Sequence, residues 1–233
     1  MSGGALCFIG AGQHEEIAIL KFYHAPWSRA SGVLWLLEEL GIDYEMNQVD
    51  IRGEAGAPES YRAIQPNKKV PAIEHDGIVV TERAAITTYL ADAFPEAGLA
   101  PAIGNAMRGP YLTMNVYCDA VLDPCVAGRA HGLEYVSNDY SFGLFDDMVN
   151  YVERVLTEHP YATGDRFTAA DTQLGSAVHY TMDMLKVLPR RKVFEDYVAR
   201  ITARPAFQAA QVKDQDMAMK LPFFQKQFGG PEA

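Results

Sequence analysis

The chain has 233 residues, of which 48% are hydrophobic and 21% charged, so it is long enough for two modest globular domains with packed cores. Its formal net charge of −10 disfavours binding to a nucleic-acid backbone or to an anionic membrane surface. No apolar run approaches the roughly 20 residues of a membrane helix. Three cysteines, without a C-x-x-C pair or zinc-like spacing, predict a reducing cytoplasmic location with neither structural disulfides nor a metal.

The apolar pattern of the first part of the chain predicts the order β-α-β-α-β-β-α. A Gly-rich N-terminal segment, 1–17, precedes it and is expected to be a flexible tail. The first β-α-β unit implies parallel strands and a right-handed crossover, whereas the last two strands form an antiparallel hairpin. This order predicts a thioredoxin-like α/β domain over 18–95. Its strands are expected at 18–23, 44–49, 70–73 and 78–80, and its helices at 30–40, 60–64 and 82–93.

The rest of the chain has helical periodicity only, after a Pro/Gly/Ala-rich linker expected at 96–104. It predicts an all-helical bundle domain over 105–221 and an apolar C-terminal tail at 222–233, which either folds back over the cleft or forms a dimer contact. Thr168 and Asp171 have the spacing of a capping box, which stabilises a helix start and implies no chemistry. The helices are expected at 105–132, 142–158, 169–185, 193–203 and 206–212.

The most specific pattern is N-K-K-V-P-A-I-E-H-D-G-I-V-V-T-E-R-A-A-I-T-T-Y-L at 67–90. A strand that begins at Pro71 leaves its edge open, because proline cannot donate a ladder hydrogen bond. The helix that begins at Glu82 and Arg83 presents unpaired backbone N–H groups, which form an anion site. An open strand edge beside a helix N-terminus suits a peptide-like ligand that carries a carboxylate.

This segment resembles the glutathione-binding half-site of the glutathione S-transferase superfamily, and the resemblance extends over roughly residues 18–217. It implies that glutathione is the co-substrate and that the backbone of Val70, which precedes Pro71, pairs with its cysteinyl part. Glu82 would accept the γ-glutamyl ammonium group. Arg83 replaces the serine of most members and would bind the γ-glutamyl carboxylate or reach a neighbouring subunit. Lys68 or Lys69, with Lys69 favoured, would meet the glycyl carboxylate.

The superfamily places its thiolate-stabilising group just after the first strand, which here is followed by the sequence H-A-P-W-S-R-A-S. A hydroxyl donor near a helix N-terminus stabilises a thiolate and lowers the pKa of the thiol. Ser28 is the candidate donor, although Trp27 falls at the usual position in an ungapped alignment. The alternatives are Tyr23, Ser31, a backbone N–H, or no donor from the protein. Arg29 is a candidate contact for the thiolate or for an acidic substrate.

The electrophile pocket is expected on the first long helix of the second domain, where Met114, Tyr117 and Cys118 share one face; packing in the core or a dimer interface is the alternative for each. The resemblance implies a cytoplasmic, homodimeric transferase of detoxification that acts on a small apolar electrophile, without nucleic-acid or membrane partners. Two alternatives remain open. One is a glutathione-dependent disulfide reductase, ether-cleaving enzyme or dehalogenase, and the other is a non-catalytic scaffold or regulatory binding module.

Overall fold

The computed structural model of the protein describes residues 20–53 and 55–228. The predicted β-α-β-α-β-β-α order is confirmed, with a 3₁₀ turn at Glu59–Ala63 as its second helical element. The tail predicted at 1–17 lies outside the described residues. The regular elements are β1 Leu20–His24, α1 Ser31–Leu40, β2 Tyr44–Gln48, β3 Ala72–His75, β4 Ile78–Thr81 and α2 Arg83–Ala93.

The four strands form one mixed sheet in the order β2-β1-β3-β4. The two crossover-linked strands, β1 and β2, are parallel, with Leu20 opposite Tyr44. Strand β3 is antiparallel to both β1 and β4. Alternate residues of β1, Leu20, Phe22 and His24, are buried, so this strand faces the core with one side. The N-terminal part is therefore a thioredoxin-like α/β domain, as the sequence predicts.

The second part is helical throughout its regular elements. Its helices are α3 Arg108–Tyr117, α4 Asp123–Ala130, α5 Phe145–Glu158, α6 Ala169–His179, α7 Lys192–Thr202, α8 Pro205–Ala218 and α9 Pro222–Phe228. Helix α8 is longer than predicted, and α9 lies in the segment expected to be a tail. Among helices within the described ranges, none is long and apolar enough to cross a bilayer.

Two of the predicted helices contain π-helical turns. The one predicted at 105–132 is divided by a π turn at Cys118–Leu122, where the backbone N–H of Asp123 bonds to the carbonyl of Cys118. Pro124 follows directly and has no N–H to donate, so regular α-helical bonding is interrupted there. The helix predicted at 169–185 ends in a second π turn, Tyr180–Met184.

The two parts share a core in which α1 packs against α6 and α8. A Cβ atom at Gly32 would lie 2.6 Å from Oγ of Ser176, and one at Gly175 would lie 2.4 Å from Cδ1 of Ile201, so a larger residue at either position would force its neighbour to move. Trp35 is buried in this interface and meets the ring of Phe207 edge-on at 5.0 Å. Because α1 is held along its length, the loop that precedes it has a fixed position.

The start of α6 is the predicted capping box. The backbone N–H of Thr168 donates to Oδ2 of Asp171 at 2.8 Å. The carboxylate also accepts the N–H of Ala162 at 2.7 Å and the hydroxyl of Tyr197 at 2.9 Å. Complete burial, opposed by these hydrogen bonds, raises the pKa of Asp171 to about 6. This carboxylate therefore accepts two hydrogen bonds, from Ala162 and Tyr197, in addition to the one that belongs to the capping box.

Candidate functional site

The loop between β1 and α1 is closed by hydrogen bonds of Ser28. Its hydroxyl donates to the carbonyl oxygen of Ala25 at 2.6 Å and accepts the backbone N–H of Ala30 at 3.1 Å. A serine hydroxyl has a single proton to donate. Ser28 can therefore stabilise an anion only by exchanging its bond to Ala25, a backbone oxygen, for a bond to that anion. Helix α1 begins three residues later, so the candidate donor lies at a helix start.

A buried carboxylate from α8 holds the same loop. Oδ1 of Asp214 lies 2.8 Å from Nε2 of His24, and Oδ2 accepts the hydroxyl of Ser31 at 2.6 Å and the backbone N–H of Trp27 at 3.2 Å. Trp27 has a φ of 52°, which is uncommon for a bulky residue and persists only where the surroundings impose it. Sequence reasoning missed Asp214, because it lies 183 residues beyond Ser31 and no local pattern marks it.

Helix α9 packs against the outer side of this loop. The ring of Trp27 meets the rings of Phe224 and Phe228 edge-on, with centroids 4.7 Å and 5.6 Å apart. The guanidinium group of Arg52 donates to the carbonyl oxygen of Trp27 at 3.0 Å and lies 5.2 Å from the centroid of Phe224. The C-terminal segment thus packs on the loop that contains the candidate donor.

The turn before β3 forms the second half of the candidate site. The peptide bond between Val70 and Pro71 is cis, and pairing of β3 with β4 begins only at Ala72. The preceding carbonyl, that of Lys69, accepts the hydroxyl of Tyr61 at 3.1 Å. Val70 therefore lies outside the strand ladder on a firmly held turn, where an extended ligand can pair with its backbone.

The two lysines of this turn have different surroundings. Nζ of Lys68 lies 3.3 Å from Oε2 of Glu59 and 3.4 Å from the carbonyl oxygen of Ala55. Lys69 is exposed, and its ammonium group makes no hydrogen bond or ion pair within the described part of the chain. The charge of Lys69 is therefore the one available to a ligand anion.

Glu82 lies where β4 passes into α2, with an exposed side chain. Its backbone has φ 66° and ψ 125°, a conformation that costs on the order of 1–3 kcal/mol for a residue other than glycine. The buried side chain of Gln65 donates to Oε1 of Glu82 at 3.3 Å and accepts the N–H of Lys69 at 3.1 Å. Gln65 thus links Glu82 to the turn that contains Val70, and such retained strain is typical of ligand sites.

The structure corrects the role predicted for Arg83. Its side chain is only 5% exposed, and its guanidinium group pairs with Asp119, through Nε at 2.8 Å, and with Asp123, at 3.0 Å. Oδ2 of Asp119 also accepts the backbone N–H of Ala84 at 2.9 Å. The guanidinium group is occupied by two carboxylates of the helical domain and is not free to bind the γ-glutamyl carboxylate. The sequence predicted one continuous helix at 105–132 and therefore missed the π turn that places these carboxylates.

Asp123 joins the loop after β1 to the start of α2. One of its oxygens lies 3.0 Å from Arg83, and the other lies 2.8 Å from Nη2 of Arg29, in the loop after β1. Burial, opposed by the two guanidinium groups, raises the pKa of Asp123 above its ordinary value. Arg29 also lies over the ring of Tyr180, 5.3 Å from its centroid. Arg29 therefore contacts both Asp123, the residue directly after the first π turn, and Tyr180 of the second. Such turns are frequent at functional sites.

Tyr23 has its hydroxyl directed to another partner. It donates to Oε2 of Glu74 at 3.3 Å, and its ring lies 5.7 Å from that of Tyr61. Burial, together with the neighbouring carboxylate of Glu74, raises the pKa of the Tyr23 phenol above its ordinary value. The hydroxyl of Tyr23 is thus committed to a carboxylate, which removes the support for a contact with the thiolate.

The residues predicted for the electrophile pocket lie mainly in the core. Met114 and Cys118 are 2% and 0% exposed, and the ring of the half-buried Tyr117 packs on Tyr151 at 4.6 Å. Their shared helical face points into the bundle, because the spacing that marks a pocket face also marks a core face. Burial raises the pKa of the Cys118 thiol, which opposes formation of a thiolate there.

Comparison with known proteins gives matches over both parts of the chain. Residues 18–92 match the family model for the glutathione S-transferase N-terminal domain. Glutathione S-transferase 3 of Schizosaccharomyces pombe is 24% identical over 222 residues, which cover 87% of this chain and 91% of that protein.

Two solved structures are similar over the described fold. A glutathione transferase from Methylococcus capsulatus is 29% identical with a TM-score of 0.68, over 84% of this chain and 99% of that one. A sphingomonad glutathione S-transferase, solved in complex with glutathione, is 26% identical with a TM-score of 0.67, over 84% and 98%. The N-terminal match includes the loop after β1, the cis turn at Val70 and the start of α2, which are the parts that form the candidate site.

Proposed function

The chain belongs to the glutathione S-transferase superfamily, and from this premise we propose that it is a glutathione transferase that directs the glutathione thiolate at an apolar electrophile. One observation carries the proposal. Asp123 pairs with Arg29 in the loop of Ser28 and with Arg83 at the start of α2, so the loop with the candidate thiolate donor is held against the helix start that follows Glu82. The sphingomonad relative whose structure contains glutathione supports the choice of ligand.

Glutathione would dock on the turn before β3 and on the start of α2. The free backbone of Val70, next to Pro71, would pair with its cysteinyl unit, as in β-strand addition. The exposed carboxylate of Glu82 would accept the γ-glutamyl ammonium group, and the exposed ammonium group of Lys69 would pair with the glycyl carboxylate. Opposite charges thus face the ligand at both ends, which fixes its direction.

Ser28 would stabilise the thiolate. Its hydroxyl would exchange a neutral bond to Ala25 for a charge-assisted bond to sulfur, which is the stronger of the two. The start of α1 would add the favourable field of a helix N-terminus. The sulfur would then form a bond to an electrophilic carbon, and a leaving group would depart with the electron pair.

The electrophile would lie in the cleft beside Arg29 and Tyr180 rather than against Met114 and Cys118. The side chain of Arg29 is 34% exposed, so it remains partly accessible to a ligand. We also propose a homodimer located in the cytoplasm and acting in detoxification. Its interface would use the exposed apolar residues of β4 and α3, namely Ile78, Val79, Leu112 and Val116.

Melting of the protein with and without millimolar glutathione tests this function. At a concentration about 100 times the dissociation constant, linkage predicts roughly 2.7 kcal/mol of stabilisation. For a chain of this size the melting temperature should rise by about 5–10 °C. The rise should be lost in Glu82→Gln and retained in Glu96→Gln, a matched change of an exposed glutamate just beyond α2.

A second candidate function is a non-catalytic module on the same fold. The observation in its favour is that Arg83 and the N–H of Ala84 are both occupied by Asp119, which removes two groups from the expected anion site. Such a module would show no rise in melting temperature with glutathione in the parent protein. That result would reject the transferase.

A further inference from the structure

We propose that Asp214 of α8 is a positioning residue for the loop that stabilises the thiolate. This inference rests on the proposed function and deepens it. It assigns to a carboxylate on α8 the role of holding the loop in which Ser28 stabilises the thiolate. Asp214 is almost completely buried and reaches three points of that loop. Its partners are His24 before Ser28, the N–H of Trp27 next to it, and Ser31 after it.

The three contacts hold the loop on both sides of Ser28. The distances from Asp214 are 2.8 Å to Nε2 of His24, 2.6 Å to Oγ of Ser31 and 3.2 Å to the N–H of Trp27. Hydrogen bonds to an ionised carboxylate are about twice as strong as neutral ones. They hold Trp27 at positive φ, and Trp27 directly precedes the candidate donor.

These contacts also select the donor. With the hydroxyl of Ser31 and the N–H of Trp27 both directed at Asp214, neither is free to donate to a thiolate. The hydroxyl of Ser28 is bonded to a backbone carbonyl, a neutral acceptor that a thiolate displaces more readily than it displaces a buried carboxylate. The geometry thus favours Ser28 over the two neighbouring alternatives.

The sign of one measurement separates positioning from simple proximity. A carboxylate close to a thiolate repels it and raises the pKa of the thiol, so removing the charge alone would lower that pKa. Loss of positioning would misplace the donor and raise the pKa of the bound thiol. A change at Asp214 therefore gives opposite shifts under the two explanations.

The experiment uses the full chain with bound glutathione. Binding is measured by calorimetry, and the thiolate is followed by its ultraviolet absorbance as the pH is changed. Asp214→Asn keeps the size of the side chain but removes its charge and replaces one of its two acceptor oxygens by an NH₂ donor. We expect the pKa of the bound thiol to rise by about one unit, a tenfold loss of thiolate below that pKa. Below the thiol pKa, where glutathione binds as the thiol, the dissociation constant should change less than about threefold, because the binding turn is not altered.

Asp216→Asn is the matched control, since this exposed aspartate lies on the same helix two residues later. It should leave both the thiol pKa and the affinity unchanged. Ser31→Ala is a milder second variant that removes one of the three contacts and keeps the proposal testable should Asp214→Asn not fold. It should raise the thiol pKa by a smaller amount, and this effect should vanish in the Asp214→Asn background if it acts through Asp214.

The outcomes are distinct for the inference and for the proposed function. A parent protein that binds glutathione with a lowered thiol pKa, and a raised pKa in Asp214→Asn, would support both. An unchanged or lower pKa in a folded Asp214→Asn, or loss of affinity instead, would overturn the positioning role and leave the function standing. If Asp214→Asn does not fold, an unchanged thiol pKa in Ser31→Ala would likewise overturn the positioning role. A parent that does not bind glutathione would overturn both.

Discussion

At the starts of α6 and α2, backbone N–H groups donate to carboxylates that come from different parts of the chain. At α6 the carboxylate is that of Asp171, three residues after the N-cap Thr168, and it is wholly buried. At α2 the carboxylate is that of Asp119, 35 residues away on a π turn, and it binds both the N–H of Ala84 and the side chain of Arg83. Each arrangement satisfies helix N–H groups that have no intrahelical partner.

The difference is that one cap is local and the other joins the two domains. The α6 cap uses neutral donors around one carboxylate, so its main cost is the desolvation of that charge. The α2 cap pairs a buried guanidinium group with two partly exposed carboxylates, and it forms only when the domains are packed. A local cap stabilises a helix, whereas a remote cap also fixes the site between the domains.

The largest effect is expected at the local cap. Asp171→Ala leaves three buried donors, on Ala162, Thr168 and Tyr197, without their acceptor. The free energy of unfolding, measured with urea, should fall by about 3–5 kcal/mol. Asp165→Ala, at an exposed position of the same segment, should change it by less than about 0.5 kcal/mol. A loss near 1 kcal/mol for Asp171→Ala would mean that the carboxylate is no more than an ordinary cap.

The pH dependence of stability sharpens the comparison further. Burial raises the pKa of Asp171 to about 6 in the folded protein, against about 3.9 when unfolded. The folded state therefore binds this proton more tightly, so the contribution of the group is largest below about pH 4 and declines as the pH rises to about 6. The decline is at most about 3 kcal/mol.

Urea unfolding of the parent and of Asp171→Asn across this pH range isolates the contribution, because asparagine does not titrate. The stability of the parent relative to the variant should decrease with rising pH. A constant difference, or an increase, would contradict the raised pKa.

At the remote cap a smaller loss is expected. Arg83→Met leaves the carboxylates of Asp119 and Asp123 without their shared partner. Because both carboxylates are partly exposed, the free energy of unfolding should fall by about 2 kcal/mol, less than for a fully buried pair. Arg129→Met breaks an exposed pair with Asp146 and is the matched control, with an expected loss below about 1 kcal/mol. Equal losses in the two variants would show that the interdomain cluster adds nothing beyond a surface ion pair.

The smallest effect is expected for the hydroxyl half of the capping box. Thr168→Ala retains the backbone N–H that Asp171 accepts and should lower the free energy of unfolding by about 1 kcal/mol. Chemical denaturation of Thr168→Ala and Asp171→Ala under the same conditions compares the contribution of the hydroxyl with that of the carboxylate. A loss for Thr168→Ala as large as that for Asp171→Ala would break the distinction between the hydroxyl and the carboxylate.

The contrast between local and remote contacts also explains which features could be predicted from the sequence. The strands, the crossover, the strand start near Pro71 and the α6 cap follow from local spacing and were predicted. The π turn at Cys118–Leu122 was not, although Pro124 gave a signal for a break in the predicted helix. The contacts of Arg83 and Asp214 depend on how two domains pack, and pairing across such distances leaves no trace in a single sequence.

The packing of α9 also affects the intrinsic tryptophan fluorescence expected of the protein. The chain has two tryptophans, and their surroundings differ. Trp35 is buried between the domains, whereas Trp27 is half-buried among the rings of Phe224 and Phe228. Emission from Trp35 should stay constant while the domains remain packed, so a change in fluorescence on adding a ligand would come from Trp27. The protein thus contains a natural reporter of whether its C-terminal helix stays on the loop or leaves it.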